Sequence, residues 1–88
     1  MSRLIPAAER IVKARALIQK ARDLPVPDGL GRGDFSYVAQ VKALLQQARD
    51  LVKFISYTPS ASAETKKEVQ SIFEETDRAA HEILHGSP

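Results

Sequence analysis

Residues 34–55 read DFSYVAQVKALLQQARDLVKFI, and this stretch decides the fold. Its apolar side chains recur at spacings of three and four residues, which is the period of an amphipathic helix. Asp34 can cap the helix because its carboxylate is able to accept a hydrogen bond from a backbone N–H of the first turn. We therefore predict a helix over residues 34–57. Its broad apolar face comprises Tyr37, Val38, Val41, Leu44, Leu45, Ala48, Leu51, Val52 and Ile55.

Two breaks flank this predicted helix. Residues 24–33 contain two prolines and three glycines, a density that a helix interior does not tolerate. The second break is centred on Pro59, which disfavours helical conformation in the residue before it. Ser62 can then cap a new helix that begins near Ala63.

The segments outside the breaks also have helical apolar patterns. They predict helices over about residues 6–24 and 63–85, with Pro6 at the first helical position of the earlier one. No segment alternates between apolar and polar residues over a useful length, so strands are not expected. The short connections favour antiparallel neighbours. The prediction is an all-α, up-down-up three-helix bundle that forms a single domain over residues 1–88.

Length and composition limit the function classes. The 88 residues have room for one modest core, and the chain has no cysteine, so packing alone must stabilise it. There is no run of about 18 apolar residues that could span a membrane, and the first residues lack the apolar centre of a signal peptide. We expect an intracellular protein, in the cytoplasm rather than the nucleus, and the N-terminal module of a longer one.

Charge is distributed unevenly along the chain. Residues 3–24 carry six basic and two acidic side chains, whereas residues 58–88 carry three and six. The overall balance of thirteen basic to eleven acidic residues is a small bias, which argues against a nucleic-acid partner. Arg15 and Arg22 lie beside the apolar stripe of the first predicted helix. A buried arginine at either position would need a carboxylate partner.

Three glutamates, Glu68, Glu75 and Glu82, recur every seven residues along one edge of the third predicted helix. Lys42 and Arg49 recur in the same way along the second. One interpretation is a set of ion pairs between these two antiparallel helices. The other is an acidic rim beside a groove that receives an amphipathic segment of a partner with basic residues.

The sequence His81-Glu82-Ile83-Leu84-His85 matches the H-E-x-x-H pattern of zinc proteases. A catalytic zinc site needs a third protein ligand, and the chain has no other histidine or cysteine. On a helical projection both histidines lie opposite the apolar stripe. We therefore predict exposed histidines near a helix end, with no metal site, no cofactor and no catalytic residue, so the protein is not expected to be an enzyme.

The run Val38, Val41, Leu45 and Ala48 on the second predicted helix is followed on the third by Asp77-Arg78-Ala79. Over about residues 38–84 this pattern resembles the MIT (microtubule interacting and trafficking) domain, a three-helix module. The aromatic and small residues that the family has on its second helix are replaced here by valine and leucine. The resemblance implies binding of tail motifs from ESCRT-III-type sorting subunits in grooves beside the third helix.

We therefore predict a non-catalytic protein–protein interaction module that binds a peptide or helix of a partner in an interhelical groove, with a trafficking role. The alternative is a transcriptional or chromatin adaptor, whose acidic activation segment would choose Arg3, Arg10, Lys13 and Lys20. Self-association stays open, because three broad apolar faces can exceed what one small bundle covers. For the first interpretation the predicted partner-binding residues are Glu68, Ile72 and Glu75 from the stripe, and Asp77, Arg78 and Ala79 from the resemblance.

Overall fold

The computed structural model describes residues 6–29 and 34–84, and within them it contains three long helices and no strand. Helix α1 spans Ala7–Asp23, α2 spans Phe35–Val52 and α3 spans Ala63–Leu84. A short 3-10 turn, Ile55–Tyr57, lies between α2 and α3. The predicted all-α three-helix bundle is confirmed. No helix in these two ranges is long and apolar enough to cross a membrane.

The helix N-termini follow the predicted caps in two of three cases. The Asp34 carboxylate accepts a hydrogen bond from the Tyr37 N–H at 3.0 Å, and the Ser62 hydroxyl accepts one from the Thr65 N–H at 3.1 Å. Each bond satisfies a backbone donor that the first turn leaves unpaired. Pro6 was expected at the first helical position but is the N-cap residue, with extended backbone and no capping side-chain bond.

The predicted end of α2 at residue 57 was wrong, because the α-helix stops at Val52. Beyond it the Tyr57 N–H donates to the Phe54 carbonyl and the Thr58 N–H to the Ile55 carbonyl, the tighter pattern of a 3-10 turn. The Thr58 hydroxyl is a second donor to the Phe54 carbonyl, at 3.1 Å. The tighter turn keeps Ile55 in the core at 7% exposure.

The core is one seam of apolar side chains with helical spacing from all three helices. Alanines on each helix are fully buried, so the helix backbones approach closely where no larger side chain separates them. The polar core residue Thr76 donates its hydroxyl hydrogen bond to the Phe73 carbonyl at 2.8 Å and is therefore satisfied. The buried apolar residues are Ile11, Ala14, Ile18, Ala21, Tyr37, Val41, Leu45, Ala48, Val52, Ile55, Val69, Ile72, Ala79 and Ile83.

The contacts between helices give the direction in which each one runs. The Arg10 guanidinium, near the start of α1, donates to the carbonyl of Leu51 near the end of α2 at 3.2 Å, so these helices are antiparallel. Arg15 and Arg22 of α1 contact positions 75 and 82 of α3, which rise in the same order, so α1 and α3 are parallel. This is the up-down-up order that the short connections predicted.

Replacing Ala79 by leucine should lower the free energy of unfolding by about 1–3 kcal/mol, because three added carbons must enter a fully packed seam. The matched change Ala43→Leu adds the same atoms at an exposed position of α2 and should stay within about 0.5 kcal/mol of the parent. Urea denaturation followed by helical circular dichroism measures both. Equal effects would show that α3 does not pack through Ala79.

Candidate functional site

Two ion pairs join α1 to α3. The Arg15 Nη1 lies 2.5 Å from the Glu75 Oε2, and the Arg22 Nη1 lies 2.7 Å from the Glu82 Oε1. The two arginines are seven residues apart on α1 and the two glutamates are seven residues apart on α3, so the ion pairs repeat every two turns along the seam. The Ser71 hydroxyl also donates to Glu75 at 3.2 Å. A carboxylate partner was expected for a buried arginine at either position; neither arginine is buried, but each has such a partner.

The interpretation that the glutamate stripe forms ion pairs with α2 is therefore wrong. Glu75 and Glu82 contact the parallel helix α1, not the antiparallel helix α2, because α3 turns that edge toward α1. On the other edge of α3, the Arg49 Nη1 lies 2.9 Å from the Asp77 Oδ1. The Arg49 guanidinium also lies 5.4 Å from the centre of the Phe73 ring, a cation–π distance.

Two of the six predicted partner-binding residues belong to the core. Ile72 and Ala79 are fully buried between the helices, so a partner cannot contact them in this conformation. The apolar side chains of α3 that were expected to contact a partner therefore hold α3 in the bundle instead. This corrects the expectation that these two side chains line a binding groove.

The other four predicted residues lie on the surface of α3 but face different ways. Glu75 is engaged by Arg15, and Asp77 is paired with Arg49 while its side chain stays 75% exposed. Glu68 and Arg78 are exposed. The structure thus brings the six residues onto one helix, but not into one open groove.

The histidine motif does not form a metal centre among the described residues. His81 is exposed, as predicted, and His85 lies outside the described ranges. No group of three histidine, cysteine, aspartate or glutamate side chains in residues 6–29 and 34–84 is close enough to hold a metal ion.

A groove that the sequence reasoning missed runs along α1 and α2. At one end of the bundle it opens into a cavity of about 600 Å³ between the start of α1, the end of α2 and the connection to α3. A second hollow of about 330 Å³ continues beside Leu17 and Gln47. Both include Arg10 and Leu51 in their walls, and these two residues are joined by the hydrogen bond from the Arg10 guanidinium to the Leu51 carbonyl. We call the two adjoining hollows together the α1–α2 groove. The larger cavity is lined by Ala7, Arg10, Leu51, Phe54, Ile55, Thr58, Ser60, Ala61, Ser62 and Thr65.

The wall of the α1–α2 groove is mainly apolar with a few hydrogen-bonding groups. Leu17, Leu51 and Ala61 pack against the core yet remain partly exposed, and the Phe54 ring is 66% exposed. Hydroxyl groups from the connection between α2 and α3 supply donors and acceptors at the rim. Such a surface can bury apolar side chains of a ligand and orient its polar groups.

Asp50 lies at the edge of this groove, and its charge is already engaged. The Gln46 side chain donates to its carboxylate at 2.9 Å, and the Lys53 ammonium lies 3.3 Å away. The hydrogen bond from Gln46, followed by that from Lys53, lowers the pKa of Asp50 below its ordinary value. The carboxylate therefore stays ionised and paired at neutral pH.

The sequence did contain a signal for the groove. Leu17 of α1 and the C-cap residue Leu24 are seven residues apart, as are Leu44 and Leu51 of α2. All four are half-buried, so they form the outer edge of the apolar faces and not the centre of the core. The excess width of the apolar faces was expected to allow self-association, but the sequence pattern did not indicate which part of them stays open between α1 and α2.

Comparison with known proteins gives no family model, no curated protein and no solved structure that matches the chain.

The pair Arg15 and Glu75 should couple by about 0.2–1 kcal/mol in a double-mutant cycle of unfolding free energies, because both side chains are partly exposed. The variants are Arg15→Gln, Glu75→Gln and their combination. The coupling should shrink as salt is added. Arg15→Gln combined with Glu74→Gln is the control, since the exposed neighbour Glu74 does not pair with Arg15. Zero coupling at low salt for Arg15 with Glu75 would contradict the assigned ion pair.

Proposed function

We propose that this chain is a non-catalytic interaction module that binds a segment of another protein in the α1–α2 groove. The observation that carries the proposal is the pair of adjoining hollows whose partly exposed apolar lining includes Ala7, Leu17 and Leu51. A surface of this kind binds a ligand by burying apolar area. Such binding requires no cofactor and no reacting side chain.

The dimensions of the groove support a peptide segment as the ligand. The lining residues of α1 extend from Ala7 to Leu17, which is about 15 Å along a helix that rises 1.5 Å per residue. That length corresponds to about three turns of a docked helix. Both hollows open to the protein surface, so a segment can enter from the side, but its path between them passes the Arg10–Leu51 hydrogen bond.

The placement on α1 and α2 moves the proposed site away from α3. Both edges of α3 are crossed by arginine–carboxylate pairs, and its apolar stripe lies in the core. A ligand on α3 would have to displace these contacts first. A ligand in the α1–α2 groove meets apolar surface that is already exposed.

Two cellular settings suit such a module. A role in ESCRT-type membrane trafficking is supported by the resemblance at Asp77-Arg78-Ala79, where Arg78 is exposed and Asp77 is paired with Arg49. A transcriptional or chromatin adaptor role is supported by the α1–α2 groove, because Arg10 and Leu17 of the basic first helix line it.

Phe54→Glu should weaken binding of the partner at least about tenfold, since it places a charge on the apolar wall that the ligand would bury. Phe35→Glu is the matched control. Phe35 is 89% exposed at the other end of α2, about 28 Å from Phe54 along the helix. Partners are captured from cell extract with the parent and both variants, and the affinity of each captured protein is then measured with purified components. Loss of binding with Phe35→Glu alone would contradict the proposed site.

A further inference from the structure

The ion pairs of the bundle leave a particular set of positive charges available on α1. Arg15 and Arg22 are neutralised by Glu75 and Glu82 of α3. Lys13 and Lys20 are exposed, and within residues 6–29 and 34–84 they form no ion pair. The basic character of α1 is therefore presented to solvent by two lysines that are seven residues apart.

These two lysines lie beside the α1–α2 groove. At 3.6 residues per turn, Lys13 and Lys20 project within about 60° of Leu17, which lines the groove. Arg15 and Arg22 project on the opposite side of the core stripe, toward α3. The α1 rim of the groove is thus basic, with Glu9 as the acidic residue at its N-terminal end.

The α2 rim of the groove does not oppose this charge. Gln40 and Gln47 are exposed there, also seven residues apart, and their amides are neutral. The nearby Asp50 is held by Lys53 and Gln46. The polar residues that line the second hollow are Arg10, Gln47 and the paired Asp50. Lys13 and Lys20 lie outside this lining, on the exposed face of α1 next to Leu17.

We propose that the occupant of the α1–α2 groove is an acidic amphipathic helix of a partner protein; this inference rests on the proposed function. Its apolar residues pack against Leu17 of α1 and Leu51 of α2, the two leucines that line the groove. Its aspartates or glutamates lie along one edge, two turns apart, and face Lys13 and Lys20. Complementary charge of this kind fixes the orientation of the helix and accelerates association.

A second copy of the chain is a poorer occupant. A two-fold symmetric pairing of α1–α2 grooves presents the same patch on both copies. If that pairing sets α1 against α1, the lysine edges of the two copies lie on the same side of the interface, where like charges repel each other. An acidic helix has no such penalty.

The test uses two synthetic 21-residue helical peptides with leucine at the a and d positions of each heptad. One peptide carries glutamate along one edge of the leucine stripe, and the other carries lysine at the same positions. Binding to the ¹⁵N-labelled chain is followed by NMR and by fluorescence anisotropy. We expect the acidic peptide to bind at least about tenfold more tightly at low salt, with the difference shrinking at high salt, and to shift the amides of Lys13, Leu17, Gln47 and Leu51.

The double change Lys13→Glu and Lys20→Glu should reverse the preference between the two peptides. The matched control is Lys66→Glu with Lys67→Glu, which makes the same charge change at exposed positions of α3 and should retain the preference for the acidic peptide. Circular dichroism confirms that each variant folds.

The other outcomes separate the inference from the proposed function. If both peptides bind in the groove with equal affinity, the inference of an acidic partner is overturned and the groove remains the binding site. Amide shifts confined to α3, or no groove shifts with either peptide, would overturn both proposals. A dimer by sedimentation that protects the groove amides without peptide would assign the site to a second copy.

Discussion

The constraint on which the rest of this structure depends is that one apolar seam, without a disulfide, must hold three helices together. Each helix must supply side chains to the same narrow core, and the fully buried alanines Ala14, Ala21, Ala48 and Ala79 let the backbones approach closely enough to do so. The larger apolar residues outside this seam remain half-exposed. The α1–α2 groove is therefore a consequence of how the bundle is packed.

Charge then distinguishes the faces of the bundle. The arginine–glutamate pairs repeat in register along α1 and α3, and Arg49 pairs with Asp77 on the other edge of α3. Partly exposed pairs contribute little to stability. They engage Glu75 and Glu82 of the α3 stripe, whereas Lys13 and Lys20 of α1 form no ion pair within the part of the chain that the structure describes.

The sequence predicted what depends on local chemistry. The number of helices, the two polar caps at Asp34 and Ser62, and the exposure of His81 follow from spacing and turn residues. The end of α2 was missed because the hydroxyl of Thr58 and the burial of Ile55 favour a tighter turn where the apolar spacing alone continues the helix. The partner of the glutamate stripe was missed because periodicity identifies an edge of a helix but not the neighbour that this edge faces.

The most direct test of the account is site-specific photo-crosslinking at two exposed glutamines. A photoreactive residue replaces Gln47 at the rim of the α1–α2 groove or, in a second sample, Gln70 on α3. The account predicts that Gln47 joins the chain to a partner segment rich in aspartate or glutamate, and that Gln70 does not. Crosslinks to the partner from Gln70 alone would contradict it, because the binding surface would then be α3.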